Sequence, residues 1–289
     1  MEAEQKDVVF VDIYNMIYRA YHGNQTKLTS PSGLPTGAIY TTLKMLQKIP
    51  QQYNIEYALA VFDGGKDNFR KELDSEYKAN RKPMPDDLIV QMPYIKRAME
   101  LLGWPMMQAQ EVEADDVIGT MALRAAAKGF NVYIISSDKD FRQLVSSNIS
   151  IVDTMQDVCY DRATVIEKMG VTPENVTAYL ALLGDESDNV KGVEGIGKGT
   201  AAKLLNQYGS LNELIKNKDQ VKNKVGDNLR LAIENGQLQK SLDLVTLKTD
   251  LDIKITSKDV KIKPVAQQGW LDFCTEMNFK SFLKNQPSP

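Results

Sequence analysis

The order of apolar and polar positions divides the chain into strand-like and helix-like stretches. Three runs of apolar, β-branched or aromatic residues each end in an aspartate: Val8–Asp12, Tyr57–Asp63 and Val132–Asp138. Unbroken apolar runs of this length suit strands buried on both faces, as in a parallel sheet. Helical patterns lie between them: Ile39, Leu43, Leu46 and Ile49 recur at helical spacing, and Val117–Ala127 is rich in alanine and aliphatic residues. Strand–helix alternation predicts a doubly wound α/β domain. Ligands of such sheets bind beyond the carboxyl ends of the strands, where all three aspartates are expected.

Beyond about Val171 the pattern becomes helical, punctuated by glycine, and Thr172-Pro173-Glu174 predicts a helix start. This divides the chain into residues 1–175 and 176–289. Leu251-Asp252-Ile253-Lys254-Ile255 alternates and predicts a short strand, and Asn285–Pro289 predicts a frayed tail.

Composition changes this picture little, since 43% hydrophobic and 25% charged residues are ordinary for a soluble globular protein. No apolar run is long enough to span a bilayer. The acidic, polar opening Met1–Asp7 is not expected to act as a signal or transit peptide. Cys159 and Cys274, the two cysteines, are expected to be reduced and buried, which points to the cytoplasm. A net charge of −3 from 35 basic and 38 acidic residues argues mildly against a nucleic-acid partner. The basic residues are unevenly spread, however, and gather at Lys66–Lys82, Lys191–Lys203 and Lys216–Lys224.

The acidic residues cluster too. Glu113-Ala114-Asp115-Asp116 opens a predicted helix, Asp138-Lys139-Asp140 closes the third strand, and Gly184-Asp185…Asp188-Asn189 lies at the start of the second region. Asp115 shares a helical stripe with Ile118 and Ala122, a costly place for a carboxylate without compensation. Asp185 and Asp188, three apart, are expected on one face of a helical turn. Each aspartate alone reads equally as a turn former or helix cap. Together they raise one another's pKa unless a cation intervenes, and Mg²⁺ favours oxygen ligands. His22 is the sole histidine, which excludes a histidine-based metal site, and no Ser/His/Asp or Cys/His arrangement or P-loop is present.

Gly192-Val193-Glu194-Gly195-Ile196-Gly197-Lys198-Gly199-Thr200, followed by Lys203, fits a helix–hairpin–helix. Glycines allow the tight turn, and the amides at the next helix N-terminus suit a phosphate. A nucleotide-binding loop is the alternative, but no strand precedes it and no Walker lysine–serine follows. Phe69–Lys82 reads as one charged helix that stacks Arg70 near Arg81, flanked by Lys78. Such a helix is either a solvated surface or a carrier of cations beside Asp63. Tyr14, Tyr18 and Tyr21 read as core aromatics or as rings able to stack on an unpaired base.

These motifs, in this order, resemble the 5′ nuclease family that includes the nuclease domain of bacterial DNA polymerase I, phage 5′ nucleases and flap endonucleases. The matching signatures run from Val11-Asp12…Tyr18-Arg19-Ala20-Tyr21-His22 through Pro35–Tyr40, Val61–Asp63, Phe69-Arg70…Tyr77-Lys78-Ala79-Asn80-Arg81, Glu113–Gly119 and Asp138-Lys139-Asp140…Gln143-Leu144 to Asp185…Asp188 and the glycine hairpin. Phe279–Leu283 resembles the stretch leading into the next polymerase I domain, so either a free-standing nuclease or a piece of a longer chain is expected. The chain departs from the family in two places: Ile13 replaces a small residue, and Ser136-Ser137-Asp138 replaces Thr-Gly-Asp. Both are expected to change local packing and rate.

The resemblance implies a PIN-like, mostly parallel α/β sheet with helices on both faces, a helical arch over about residues 66–95, and a helical C-terminal region with the hairpin. It implies two or three Mg²⁺ ions, with Mn²⁺ as substitute, held by Asp12, Asp63, Glu113, Asp115, Asp116, Asp138, Asp140, Asp185 and Asp188. Lys78 and Arg81, with Arg70 behind them, are expected to stabilise the scissile phosphate, and Tyr18 to stack beside it. The hairpin, through Gly192, Gly195, Gly197, Lys198, Gly199, Thr200 and Lys203, is expected to grip duplex DNA and to take up K⁺. The expected enzyme is a monomeric 5′-3′ exonuclease and flap endonuclease of a bacterial or phage-infected cell, acting on 5′ flaps and branched or nicked DNA beside a separate DNA polymerase. An RNA-directed nuclease and a non-catalytic junction binder are the rival readings, and the second would be marked by a lost carboxylate.

Overall fold

The computed structural model describes residues 6–23, 28–53, 55–64, 68–154 and 156–284. Lys66, at the head of the first basic cluster, and the tail Asn285–Pro289 lie outside them. Strands β1 (Asp7–Asp12), β2 (Tyr57–Phe62), β3 (Met106–Gln108), β4 (Asn131–Ile135), β5 (Ile149–Asp153) and β6 (Val158–Tyr160) form one sheet in the order β3-β2-β1-β4-β5-β6. Every pairing is parallel except β5 with β6. The strand order reverses between β1 and β4, so the crevice of this doubly wound sheet opens beside Asp12 and the residues after Ile135.

The uninterrupted apolar runs are explained by the two cores they serve. Val8, Phe10, Leu59, Val61, Ile134 and Ile151 belong to one core, and Val9, Val11, Ala58, Ala60, Phe62 and Val152 to the other. Alternate side chains along a strand point to opposite faces, so a sheet covered on both sides needs apolar residues at every position. Helices α1 (Ile13–Gly23), α2 (Gly37–Gln52), α3 (Phe69–Leu73), α4 (Asp86–Ile89), α5 (Met92–Leu101) and α6 (Ala114–Ala127) follow in the first half. α1, α2 and α5 cover one face, and α6 covers the other. Ile13, where the family motif has a small residue, is fully buried beneath α1.

The second half continues as α7 (Arg162–Met169), α8 (Val176–Leu183), a short hairpin of β7 (Gly184–Asp185) and β8 (Val190–Lys191), then α9 (Lys198–Tyr208), α10 (Leu211–Lys216), α11 (Asn223–Glu234), α12 (Gln237–Val245), α13 (Gln267–Glu276) and α14 (Lys280–Lys284). α8 to α12 join the α6 core. α13 and α14 do not stay with them. Trp270, Phe273, Phe279 and Phe282 pack into the α2–α5 core on the opposite face of the sheet, and Tyr40 Oη meets Ser281 Oγ at 2.9 Å. The packing of residues 176–284 is therefore split between the two sides of the sheet, because this aromatic cluster covers an apolar face that α2 and α5 leave open. Among the described residues no helix is long and apolar enough to cross a membrane.

Four local expectations are corrected. Asp185 and Asp188 lie on the β7–β8 hairpin and not on a helix. Gly184 (φ +79°) and Gly192 cross so closely that a Cβ on Gly192 would stand 2.2 Å from the Leu183 carbonyl oxygen, so the chain turns back sharply after α8. Residues Leu251–Ile255 form no strand; Arg124 donates to the Leu251 and Ile253 carbonyls and holds this stretch as an unpaired strap. Phe69–Lys82 is helical only over Phe69–Leu73, since Asp74 is extended and Lys78 adopts φ +56°. Cys274 is buried as expected, but Cys159 is exposed on β6.

Candidate active site

The carboxylates converge at the carboxyl end of the sheet. Asp12 ends β1, where its Oδ1 accepts from the Asn15 amide (3.1 Å) and its Oδ2 from the Ser136 hydroxyl (3.0 Å). Asn15 in turn accepts from the Ser137 amide and hydroxyl, so the two serines that replace Thr-Gly tie β4 to α1. Asp63 follows β2, and its Oδ1 accepts from the Ala114 amide at 2.8 Å, capping the N-terminus of α6. Asp115 lies in the first turn of that helix. After β4 the chain enters a 3₁₀ turn, Asp140–Leu144, with the Asp140 amide donating to Asp138 Oδ1 at 2.9 Å.

This half of the site is electrostatically crowded. Burial, then the Asp63 and Asp138 charges, push the Asp12 carboxyl up to about 7. Burial with Asp12 and Asp138 as neighbours pushes Asp115 well above the carboxylate range. Asp138 is raised by burial and by Asp188, and Asp140 far more by burial and by Asp138. Asp140, Asp185 and Asp188 offer carboxylate oxygens within 4.8 Å of one another. Asp140 Oδ1 is buried and accepts no hydrogen bond among the described residues. An all-oxygen donor set with an unsatisfied buried oxygen fits a hard divalent cation.

The other half carries its own counter-charge. The turn that contains Lys78 docks on the β7–β8 hairpin: the Lys78 amide donates to the Asp188 carbonyl (2.9 Å), Asn189 Nδ2 to the Glu76 carbonyl (2.7 Å), and Asn80 Nδ2 to the Glu186 carbonyl (2.6 Å). Lys78 Nζ then meets Glu113 Oε1 at 2.6 Å and Asp188 Oδ2 at 3.6 Å, and Arg81 meets Asp188 Oδ1 at 2.6 Å. Tyr77 Oη lies 3.1 Å from Glu113 and 3.2 Å from Asp188. Burial alone would raise the Asp188 carboxyl, but Lys78 and Arg81 bring it below its ordinary range. Burial likewise works against the Lys78 ammonium, yet Asp188 and Glu113 outweigh it and its pKa rises. Lys139 pairs with Asp185 at 3.0 Å.

Two expected site residues are placed elsewhere. Asp116 is fully buried, with Oδ1 accepting from Arg70 and from the Lys248 amide (both 2.8 Å) and Oδ2 from Arg70 (2.7 Å). Both of its oxygens accept from protein donors, in contrast to the unpartnered Oδ1 of Asp140. Arg70, also buried, gives its remaining hydrogen bonds to Glu113 Oε2 and to the Leu244 and Thr246 carbonyls. It ties α3 to the start of α6 and to the segment leaving α12. Tyr18 is partly buried and stacks on His22 with ring centroids 6.3 Å apart; Arg81 opposes the rise that burial gives its hydroxyl. Tyr14 packs edge-on against Phe62, and Tyr21 donates to Asp87 at 2.7 Å.

The glycine hairpin connects β8 to α9, so a strand does precede it, contrary to the expectation, although it is only two residues long and no Walker lysine–serine follows. Val193 and Ile196 anchor it in the core, while Lys198, Gly199 and Lys203 are exposed and Thr200 is half-buried at the start of α9. A Cβ on Gly197 or Gly199 would meet nothing within 4 Å, so no contact inside the protein calls for glycine there. Gly195 takes φ +80°. Asn15, Ser136, Tyr77 and Lys139 were missed as site residues. Lys139 and Tyr77 adjoin recognised motif residues, and Asn15 stands three after Asp12, the spacing at which an aspartate accepts from a backbone amide.

Comparison with known proteins fits this arrangement. The model of the N-terminal, resolvase-like domain of 5′-3′ exonucleases matches residues 7–170, and that of their C-terminal SAM fold matches residues 171–268. A 5′-3′ exonuclease of Aquifex aeolicus is 37% identical over 279 residues, covering 96% of this chain and 94% of that protein. DNA polymerase I of Caldicellulosiruptor bescii is 35% identical over 96% of this chain, which spans 33% of the polymerase. The T5 5′-exonuclease with bound zinc superposes with a TM-score of 0.70 at 25% identity, covering 95% of this chain and 99% of that one. The T5 D15 flap endonuclease in complex with DNA and metal ions shares the fold, with a TM-score of 0.71 at 24% identity over 94% of this chain and all of that one. Sheet, carboxylate cluster and both domain models agree, and the chain belongs to the 5′-3′ exonuclease family.

Proposed function

We propose that this chain is a divalent-metal-dependent, structure-specific 5′ nuclease, both 5′-3′ exonuclease and flap endonuclease, acting on DNA. The observation that carries the reading is the crowding of buried Asp12 with half-buried Asp115, Asp138 and Asp140, whose carboxyl pKa values all rise, beside the Asp140–Asp185–Asp188 cluster. Asp12, Asp63, Asp115, Asp138, Asp140, Asp185 and Asp188, with Glu113, would hold two or three Mg²⁺ ions, with Mn²⁺ as substitute. Bound there, the ions would supply Lewis-acid neutralisation of charge developing on the scissile phosphate.

The protein's own residues do the rest. Lys78 and Arg81 project from the docked turn over these carboxylates and add positive charge where the phosphate is attacked. Tyr18, one helix from Asp12, stacks on the unpaired 5′ strand. The open hairpin surface around Gly197, Lys198, Gly199, Thr200 and Lys203 receives the duplex backbone at the α9 N-terminus, without reading sequence. Carbonyls of the same hairpin take up K⁺. Water attacks the phosphorus in line, the bond to the 3′ oxygen breaks, and the products carry a 5′-phosphate and a 3′-hydroxyl. Residues 1–175 carry most of the chemistry, and residues 176–289 supply the duplex grip and add Asp185 and Asp188 to the metal site, while α13 and α14 serve the first core. The protein works as a cytoplasmic monomer beside a DNA polymerase.

The test is cleavage of a 5′-labelled DNA flap with Mg²⁺ against EDTA, with Asp63→Asn as control. Short 5′ fragments released only with Mg²⁺, and lost in the variant although DNA still binds, are the expected result. Tight junction binding without cleavage in Mg²⁺ or Mn²⁺ would replace the enzyme by a binding protein. Preference for a matched RNA flap would change the substrate.

A further inference from the structure

Gln143, part of the Asp138…Leu144 motif but without a role in the chemistry above, sits at a junction of three elements. Its amide nitrogen donates to the Asp140 carbonyl (2.9 Å) and to the Val245 carbonyl (3.0 Å). Its amide oxygen accepts from the Leu247 amide (3.1 Å) and from the Thr177 hydroxyl (3.3 Å). All four hydrogen-bonding positions of the side chain are used. The backbone partners, two carbonyls and one N–H, fix which end of the amide points where. One side chain thus ties the turn that begins at Asp140 to α8, which runs into Asp185, and to the segment leaving α12.

That segment is itself held from the far side of the site. Arg70 takes the Leu244 and Thr246 carbonyls, Asp116 takes the Lys248 amide, and Thr120 donates to the Lys248 carbonyl. Residues Leu244–Lys248 therefore form an abutment gripped alternately by Gln143 and by the Arg70–Asp116 pair. Asp140 and Asp185 share this anchorage although they lie on different elements. Side-chain networks of this kind hold metal-binding carboxylates in register, and losing one member lowers metal affinity about 10- to 100-fold.

We infer that Gln143 is a positioning residue for the metal subsite of Asp140, Asp185 and Asp188, acting by locking the 3₁₀ turn and α8 onto the α12 exit. The inference rests on reading those carboxylates as metal-holding. The test is Mn²⁺ titration of the full chain, with free Mn²⁺ counted by electron paramagnetic resonance, in the wild type, Gln143→Leu, Gln143→Glu and Asp140→Asn. Gln143→Glu keeps the acceptor side and removes the two donated bonds while adding a negative charge that by itself favours Mn²⁺, so weakening in this variant is the stricter outcome, and it serves if Gln143→Leu does not fold. The expected result is one Mn²⁺ site weakened about tenfold in both Gln143 variants, with duplex binding in EDTA unchanged. A lower melting temperature with an unaltered Mn²⁺ isotherm, while Asp140→Asn shifts that isotherm, would reduce Gln143 to a structural role and overturn the inference. An isotherm unmoved even by Asp140→Asn would overturn the metal reading and the inference with it.

Discussion

Buried Asp12 and half-buried Asp115, Asp138 and Asp140 stand among other carboxylates, and all are pushed toward the protonated form. On the side of the turn that carries Lys78, Glu113 and Asp188 face Lys78 and Arg81, and Asp188 is held below its ordinary range. The two halves use the same chemistry, and only one carries protein cations enough to balance it. The crowded half is arranged for a counter-charge from outside the chain. The neutralised half is arranged so that its cations exchange one set of anions, the carboxylates, for another, a phosphate.

The largest effect that can break this comparison is expected in the crowded half. Asp138→Asn should lower flap cleavage on the order of a thousandfold, equivalent to about 4 kcal/mol of transition-state stabilisation. The same change removes one of several like charges, so the melting temperature in EDTA should rise by a few degrees. Cleavage kinetics and calorimetry check both signs, and a fall in melting temperature would show that Asp138 is already compensated. Lys78→Ala in the other half should move stability the opposite way. It leaves Glu113 and Asp188 buried without their ammonium, a loss of about 3 kcal/mol measurable by denaturant unfolding, with cleavage down about a hundredfold. Unchanged stability would mean that Arg81 and Tyr77 suffice for that half.

The smallest effect sharpens the contrast through pH. The Asp12 pKa of about 7 in the folded chain lies above the ordinary 3.8, so the folded state holds the proton more tightly than the unfolded one. Its contribution to stability is therefore complete below about pH 4 and is lost as pH rises through 7. Asp115, Asp138 and Asp140 shift in the same direction. Unfolding in EDTA should show stability declining from pH 5 to pH 8, and saturating Mg²⁺ or Mn²⁺ should flatten that slope. A flat profile in EDTA would mean that the crowded half relaxes by taking in water.

β1, β2 and β4 were legible because their periodicity is local, a strand buried on both faces reading as an unbroken apolar run, and α2 and α6 read at helical spacing; the shorter β3, β5 and β6 carry too few residues to stand out. The carboxylates were legible because strand ends and helix starts fix where they fall. What escaped was set by distant partners. Asp116 looks like its neighbours Glu113 and Asp115 until Arg70, 46 residues away, occupies it. Phe69–Lys82 has a helical charge pattern, but the bond from the Lys78 amide to Asp188 draws the chain into a turn. The hairpin under Asp185 and Asp188 depends on Gly184 and Gly192 crossing, and glycines alone do not announce which backbone they will meet. Gln143 stood in a recognised motif, yet two of its four partners come from the α12 exit, some hundred residues later.

The return of α13 and α14 to the first core bears on the order in which the protein is made. Trp270 and Phe282 complete a hydrophobic face that α2 and α5 begin on the order of 200 residues earlier. At ordinary rates of synthesis that face waits roughly ten to forty seconds for its cover. The sheet can pair and α6 can pack in the meantime, but the α2–α5 side stays exposed to other chains and to chaperones. Contacts so distant in sequence also close slowly on refolding. The aromatic cap that closes the finished domain thus leaves its nascent form open longest on the α2–α5 face of the sheet.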